Sequence, residues 1–244
     1  MSKNLVIIPT FNEKENIEKI IQAVFDLDMT FDVLIVDDGS PDGTADIVKG
    51  IQKDNQDRLH LIEREGKLGL GTAYIRGFRF GLEKDYDYIC EMDADFSHPP
   101  KDLQRLVKSC QNGSDVCVGS RYTKGGGTDN WPMDRLILSK GASFYVQAIT
   151  WMPVKDPTAG FVCYSKKVLE AIDLNKIKFI GYAFQIEMKY AARTLGFKIS
   201  EEPIIFVDRI EGNSKMSSGI IKEAVFGVLS MRIKSFFNSY GYDK

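Results

Sequence analysis

Three groups of residues combine chemical type and spacing in ways that suit catalysis or binding. The first is Asp93-Ala94-Asp95, inside Glu91-Met92-Asp93-Ala94-Asp95-Phe96-Ser97-His98-Pro99-Pro100. It ends the apolar run Tyr88 to Met92, which reads as a strand. Carboxylates two residues apart on extended chain point the same way. Such a pair can hold Mg2+ or Mn2+ together with a diphosphate, and the ion then neutralises charge on a departing phosphate. A D-x-D pair alone is a weak pattern, common in loops as solvated, helix-capping acids, and it becomes much stronger at a strand end on the same sheet edge as Asp37 and Asp38. The second group is Asp37-Asp38, at the end of Val33-Leu34-Ile35-Val36 and ahead of Gly39-Ser40-Pro41-Asp42-Gly43-Thr44. A turn accounts for the glycines, Pro41 and Asp42. Two adjacent acids at a buried strand end need partners, and a nucleotide's base and ribose hydroxyls offer them. The third group is cationic: Arg121, Arg135, Arg209 and Lys215. Each alone reads as a surface charge; together they suit phosphate recognition.

The elements that must position these residues follow from hydrophobic pattern. Strands are expected at Leu5 to Ile8, Asp32 to Val36, Leu59 to Ile62, Tyr88 to Met92 and Asp115 to Val118. Helices are expected between them at Lys14 to Phe25, Gly43 to Lys53, Gly69 to Glu83 and Lys101 to Cys110. This alternation predicts an α/β fold, a mostly parallel sheet covered by helices on both faces, with ligands beyond the carboxyl ends of the strands. Both acidic pairs fall at such ends, as does Pro9-Thr10-Phe11-Asn12-Glu13, whose following helix can aim its amide end at an anion or can simply be capped by Asn12. Gly66-Lys67-Leu68-Gly69-Leu70-Gly71 matches no standard phosphate loop. Thr123 to Pro132 reads as a mobile loop, Arg135 to Thr150 and Phe184 to Thr194 as helices, Asp156 to Tyr164 as a turn feeding a strand, and Ile199 to Val207 as a strand broken by Pro203. One domain over 1–218 is expected, with a helical appendage over 219–244.

The 244 residues carry 32 Lys and Arg against 34 Asp and Glu, a net charge of −2. That argues against general nucleic-acid binding. The four cysteines form no C-x-x-C pair and read as buried free thiols of a reducing compartment. The N-terminus is not a signal peptide, and no apolar run reaches the about 20 residues that span a bilayer.

Taken in order, PTFNEKEN, VDDGSPDGT, GLGTAYIRG, DADFSHPP, GSRYTKGGG, WPMDR, DPTAGF and RIEGNSK resemble the family-2 glycosyltransferases, and among them the dolichyl-phosphate (polyprenol-phosphate) mannosyltransferases. The resemblance runs from about Leu5 to Lys215. It implies the GT-A fold and an inverting glycosyltransferase that moves a sugar, mannose from GDP-mannose, onto a polyprenyl phosphate. It further implies that Pro9, Phe11, Glu13, Val36 and Asp38 line the nucleotide pocket. The family has Tyr where this chain has Phe11, so stacking survives and a hydroxyl contact is lost. Asp93, Ala94 and Asp95 would meet the donor, with Asp93, Asp95 and Ser97 toward the metal. Arg121, Arg135, Arg209 and Lys215 would meet phosphates, Asp93, Asp95, Arg121 and Arg135 being the catalytic set. Family members work on the cytoplasmic side of the membrane. The apolar tail from Ile220 to Phe237, dotted with Lys222, Arg232 and Lys234, reads either as an interfacial membrane helix or as a helix packed on the sheet. A UDP-glucose donor, a glycan-hydroxyl acceptor and a non-catalytic nucleotide-sugar-binding protein remain alternatives. A hydroxyl acceptor would need a base, and neither His98 nor Glu91 is a convincing one.

Overall fold

The computed structural model describes residues 2–181, 183–208, 226–233, 235 and 239–242. Val, Ile and Leu dominate the first strands, and β-branched side chains suit a pleated surface covered on both faces. β1 (Asn4–Thr10), β2 (Asp32–Asp37), β3 (Leu59–Glu63) and β4 (Tyr88–Glu91) run parallel. The helices between them are α1 (Ile17–Phe25), α2 (Thr44–Gln52) and α3 (Leu70–Glu83). A single 3-10 turn at Pro100–Asp102 leads into α4 (Leu103–Gln111) and then β5 (Val116–Ser120). The expected parallel α/β half is therefore present, with boundaries moved by a few residues.

The second half departs from simple alternation. β6 (Gly127–Asp129) precedes α5 (Met133–Thr150), β7 (Val162–Ser165), α6 (Lys166–Ala171), α7 (Ala183–Thr194), β8 (Ile199–Pro203) and β9 (Ile205–Val207). The main sheet has the order β3-β2-β1-β4-β7-β5-β8. Only β7 runs antiparallel, inserted between β4 and β5. Pro203, lacking an N–H, closes β8, as expected. The stretch Thr123 to Pro132 corrects its reading as a mobile loop. Residues 127–129 pair with β9 in a second, two-stranded sheet, and the Gly127 N–H donates to Ile204 O at 3.0 Å.

Strand alternation splits the core between the two faces. Val6, Ile8, Val33 and Ile35 pack with α1, α2 and α4. Leu5, Ile7, Leu34 and Val36 pack with α3, α5, α6 and α7. All four cysteines are buried and free, three of them side by side at Cys90, Cys163 and Cys117 in register across β4, β7 and β5. Of the expected C-terminal appendage, residues 226–233 are helical. Their Val228 and Met231, with Tyr240, join the same buried cluster, and Gly241 bridges to Ile172. The described part of the tail thus packs on the domain.

Candidate active site

Parallel pairing brings the carboxyl ends of β1, β2 and β4 to one edge. The register sets Thr10 beside Asp37 and Ile7 beside Glu91. The Asp37-Asp38 pair separates there into two roles. Asp37 organises the turn: it accepts from Thr10 Oγ1 at 2.9 Å, from the Ser40 N–H at 2.8 Å and from Ser40 Oγ at 2.6 Å. Asp38 meets Arg64, whose Nε donates to it at 2.6 Å and whose Nη2 lies closer still. Arg64 also reaches Thr72 Oγ1 at 2.7 Å, which ties the end of β3 to the first turn of α3.

The β1 end builds the neighbouring wall. Asn12 takes the left-handed region, φ 61°, and its N–H donates to Ser40 Oγ at 3.0 Å. The Glu13 N–H donates to Thr44 Oγ1, and Glu13 accepts from Asn16 Nδ2. Phe11 is half-buried with Lys67 Nζ 4.9 Å from its ring centre, a cation–π arrangement that gives the Gly66 to Gly71 loop a place in the site. Pro9 is half-buried beside them. Val36, by contrast, is fully buried, its side chain in the core.

Beyond β4, Asp95 Oδ1 accepts the Ser97 N–H at 3.0 Å, a turn that places Phe96 at φ 60°. Asp93 keeps a third of its side chain exposed at the sheet edge, and Ala94 is buried between the two acids. The Asp93 N–H donates to His98 Nδ1 at 3.3 Å. A ring nitrogen that accepts carries no proton, so the 3.8 Å approach of the same Nδ1 to the Asp93 carboxylate is no ion pair while the imidazole is neutral. His98 stacks on Phe161, with ring centres 5.0 Å apart. Ser97 Oγ is buried and has no hydrogen-bond partner among the described residues.

Phe206 on β9 links this loop to the cations. It packs edge-on against both His98 and Trp131, each at 5.4 Å. The Trp131 indole lies between two guanidinium groups, Arg135 at 4.1 Å and Arg121 at 5.4 Å from its ring. Arg121 is held bidentately by the fully buried Asp156, Nε to Oδ2 at 2.7 Å and Nη2 to Oδ1 at 2.6 Å. Burial opposes its charge, but these bonds prevail and hold the guanidinium above its usual pKa range. Arg135 pairs with Asp208 at 2.7 Å. The structure thus brings Arg121 and Arg135 together; Arg209 and Lys215 lie outside the described residues.

Several residues to which sequence reasoning gave no role sit behind these groups. Glu91, two residues before Asp93, is fully buried, and burial pushes its carboxyl up to about 8 despite the attraction of Lys189. Lys189 on α7 is likewise fully buried and brought down to about 8 by burial. It donates to Ala159 O at 2.6 Å and to Gln185 O at 2.9 Å, bracing the turn that carries Asp156. Gln185 stands near Glu91 without meeting hydrogen-bond geometry, so both Glu91 oxygens lack a hydrogen-bond partner among the described residues. Arg64 and Lys189 carried no local signal; a single cation in a loop or a helix pattern is ordinary.

Known proteins resemble this chain over most of its length. Residues 5–173 match the model for "Glycosyl transferase family 2". Over 232 residues the chain is 44% identical to the polyprenol monophosphomannose synthase of Mycolicibacterium smegmatis, covering 95% of this chain and 88% of that one. It is also 44% identical over 224 residues to the undecaprenyl-phosphate mannosyltransferase of Micrococcus luteus, with 92% and 91% covered. Among solved structures it resembles a mannosyltransferase from Pyrobaculum calidifontis in complex with GDP-Man and Mn2+. The TM-score there is 0.63 at 17% identity, over 99% of this chain and 66% of that one. A glucosyl-3-phosphoglycerate synthase from Mycobacterium tuberculosis, with Mn2+, UDP-Glc and phosphoglyceric acid, gives 0.68 at 18% identity over 96% and 80%. The two solved structures share the GT-A fold with this chain.

Proposed function

This chain belongs to glycosyltransferase family 2 and is a glycosyltransferase, and on that premise we propose that it moves mannose from GDP-mannose onto the phosphate of a polyprenyl lipid at the cytoplasmic face of a membrane. The observation that carries this reading is the pairing, across Phe206, of an acidic loop at the end of β4 with the Arg121–Trp131–Arg135 cluster. A site with metal-holding acids on one side and guanidinium groups on the other suits two anions that must approach each other. The names of the two relatives at 44% identity support the sugar and the acceptor.

A polyprenyl phosphate is a phosphomonoester whose second pKa is about 6, so at neutral pH it is already a nucleophile. Its oxygen attacks the anomeric carbon, the bond from that carbon to the diphosphate breaks, and the configuration inverts. No side chain need remove a proton. What the protein supplies is position and charge. Asp38, fixed by Arg64, faces the base and ribose, and Phe11 offers a stacking surface. Arg121 keeps Nη1 outside its pair with Asp156, and Arg135 stands at the mouth on α5; both lower the repulsion between donor and acceptor phosphates.

The acidic loop fits a divalent ion. The described residues hold no cluster of three or more His, Cys, Asp or Glu placed around one metal, but Mg2+ is commonly held by one or two carboxylates and substrate phosphates. Asp93 and Asp95 meet that need, and the buried, unpartnered Ser97 Oγ gives a further oxygen. A bound ion would neutralise charge on the departing diphosphate.

The test is transfer of radiolabel into butanol-extractable lipid, from GDP-mannose or UDP-glucose, with a polyprenyl phosphate and Mg2+ or Mn2+. Label from GDP-mannose alone, lost on chelation and restored by the ion, is the expected result. Asp95→Ala should lower transfer about a hundredfold or more in a protein that still folds, since removal of a group that stabilises charge in the transition state typically costs this much. Label from UDP-glucose alone would keep the chemistry and change the donor. Tight nucleotide-sugar binding with no lipid label would overturn the lipid acceptor.

A further inference from the structure

Helix α5 is patterned the wrong way round for a helix of a water-soluble surface. Its buried residues include Ser143 and Thr150 beside Val146. Met133, Ile137 and Phe144 on the same helix, and Trp151 directly after it, are exposed, Phe144 and Trp151 to 73% and 75%. These four follow one another at spacings of four, seven and seven residues, which places them on one stripe. A surface helix ordinarily turns charge outward and apolar groups inward. The stripe continues beyond α5. Arg232, in the helical segment 226–233, lies over the Trp151 ring at 4.7 Å, and Phe226 and Ile233 of that segment are exposed as well.

We propose that the outward stripe of α5, continued by Phe226 and Ile233, is the face with which this protein lies on an anionic lipid bilayer. The inference rests on the lipid-acceptor reading above and adds a surface that reading does not contain. Two features select a bilayer over a second copy or a protein partner. The first is charge. Lys140 sits on the stripe between Ile137 and Phe144, Arg232 caps its far end, and Asp134 is the one acid of α5. This local excess of cations stands on a chain whose net charge is −2. Apolar residues flanked by Lys and Arg, with Trp at the boundary, suit the headgroup region of anionic lipid. The second is continuity with the site. The first turn of α5 carries Arg135, paired with Asp208 and stacked on Trp131. A bilayer against the stripe sets these cations at headgroup depth, where the phosphate of a membrane-bound prenol lies, so the acceptor need not leave the membrane.

The test uses the full chain and vesicles of phosphatidylcholine with phosphatidylglycerol. The double variant Ile137→Glu, Phe144→Glu changes two exposed positions and should keep the wild-type melting temperature. Wild type should sediment with vesicles, and the variant's partitioning should fall about tenfold or more, because apolar area is lost and two negative charges face anionic lipid. Transfer to a polyprenyl phosphate embedded in vesicles should fall in parallel, and transfer to a short, water-soluble prenyl phosphate should stay within about twofold. Undiminished vesicle binding by the variant, or none by wild type, overturns the proposal. So does a wild-type dimer in ultracentrifugation that the variant breaks, since a second copy would then cover the stripe. Vesicle binding that follows the variant while neither acceptor takes up sugar would leave the docking face standing and remove the lipid-acceptor reading alone.

Discussion

At the scale of single residues, the two adjacent acids at the end of β2 show how neighbours in sequence part in their contacts. Asp37 is consumed by the turn, and Asp38 is met by Arg64. The Asp38 and Arg64 side chains are only 9% and 10% exposed, and removing one partner of a buried pair costs about 3–5 kcal/mol. Arg64→Ala should therefore lower stability toward the lower end of that range. It should also raise KM for the nucleotide sugar about tenfold with kcat little changed, the signature of a lost binding contact. Calorimetric titration with GDP beside a thermal melt separates the two effects; a variant that melts early yet binds GDP as wild type does would assign Arg64 to folding alone. The acids of this site were legible because an acid at the end of an apolar strand is costly and asks for an explanation. Arg64, Lys189 and Asp156 were not. Their meaning lies in partners 26, 30 and 35 residues away in the chain, and nothing in their own neighbourhoods marks the pairing.

At the scale of elements, the first five strands could be read from apolar runs because each is covered on both faces. β7 could be read as a strand but not placed: a buried run of four residues looks the same in either direction. β6 and β9 have three residues each, and Gly127-Thr128-Asp129 has no apolar alternation at all. Its pairing comes from the surrounding turn, where Gly126 approaches the Ser120 carbonyl too closely for any side chain. That carbonyl also accepts the Ile204 N–H at 3.1 Å, so it cannot swing away without loosening the link between β5 and the residue after β8. Gly126→Ala should cost about 1–3 kcal/mol, in line with overpacking elsewhere. A domain of this size loses about 2–4 °C per kcal/mol. Because Arg121 follows Ser120 directly, transfer should fall more than nucleotide binding does; a variant with wild-type melting and wild-type transfer would show that the turn has slack.

At the scale of the whole molecule, the charged groups sealed beneath the acidic loop give stability a pH dependence of definite sign. Burial raises the Glu91 carboxyl from its ordinary 4.5 to about 8. Between those values the folded chain holds a proton that the unfolded chain has released, so folding takes up a proton and stability falls as pH rises through the window. Lys189, brought down to about 8, acts above it: the folded chain has released a proton that the unfolded chain keeps, and its contribution recovers stability as pH rises further. Denaturant titrations at about pH 5.5 and about pH 7.5 should show less loss of stability in Glu91→Gln than in wild type. Equal losses would mean that Glu91 ionises in the folded chain as it does in water.

The antiparallel insertion of β7 also gives the molecule an order in time. A chain leaves the ribosome from its N-terminus, and within the main sheet β1 to β4 pair only with one another except at the edge that β7 will occupy. β5 is made before either of its neighbours in the sheet, β7 and β8. Until Val162 emerges, the exposed edge of β4 is open and β5 has nothing native to pair with. The acidic loop is complete early, whereas Asp156 for Arg121 and Asp208 for Arg135 arrive late. A nascent chain halted near residue 155 would carry the acidic loop without the two carboxylates, Asp156 and Asp208, that later fix Arg121 and Arg135.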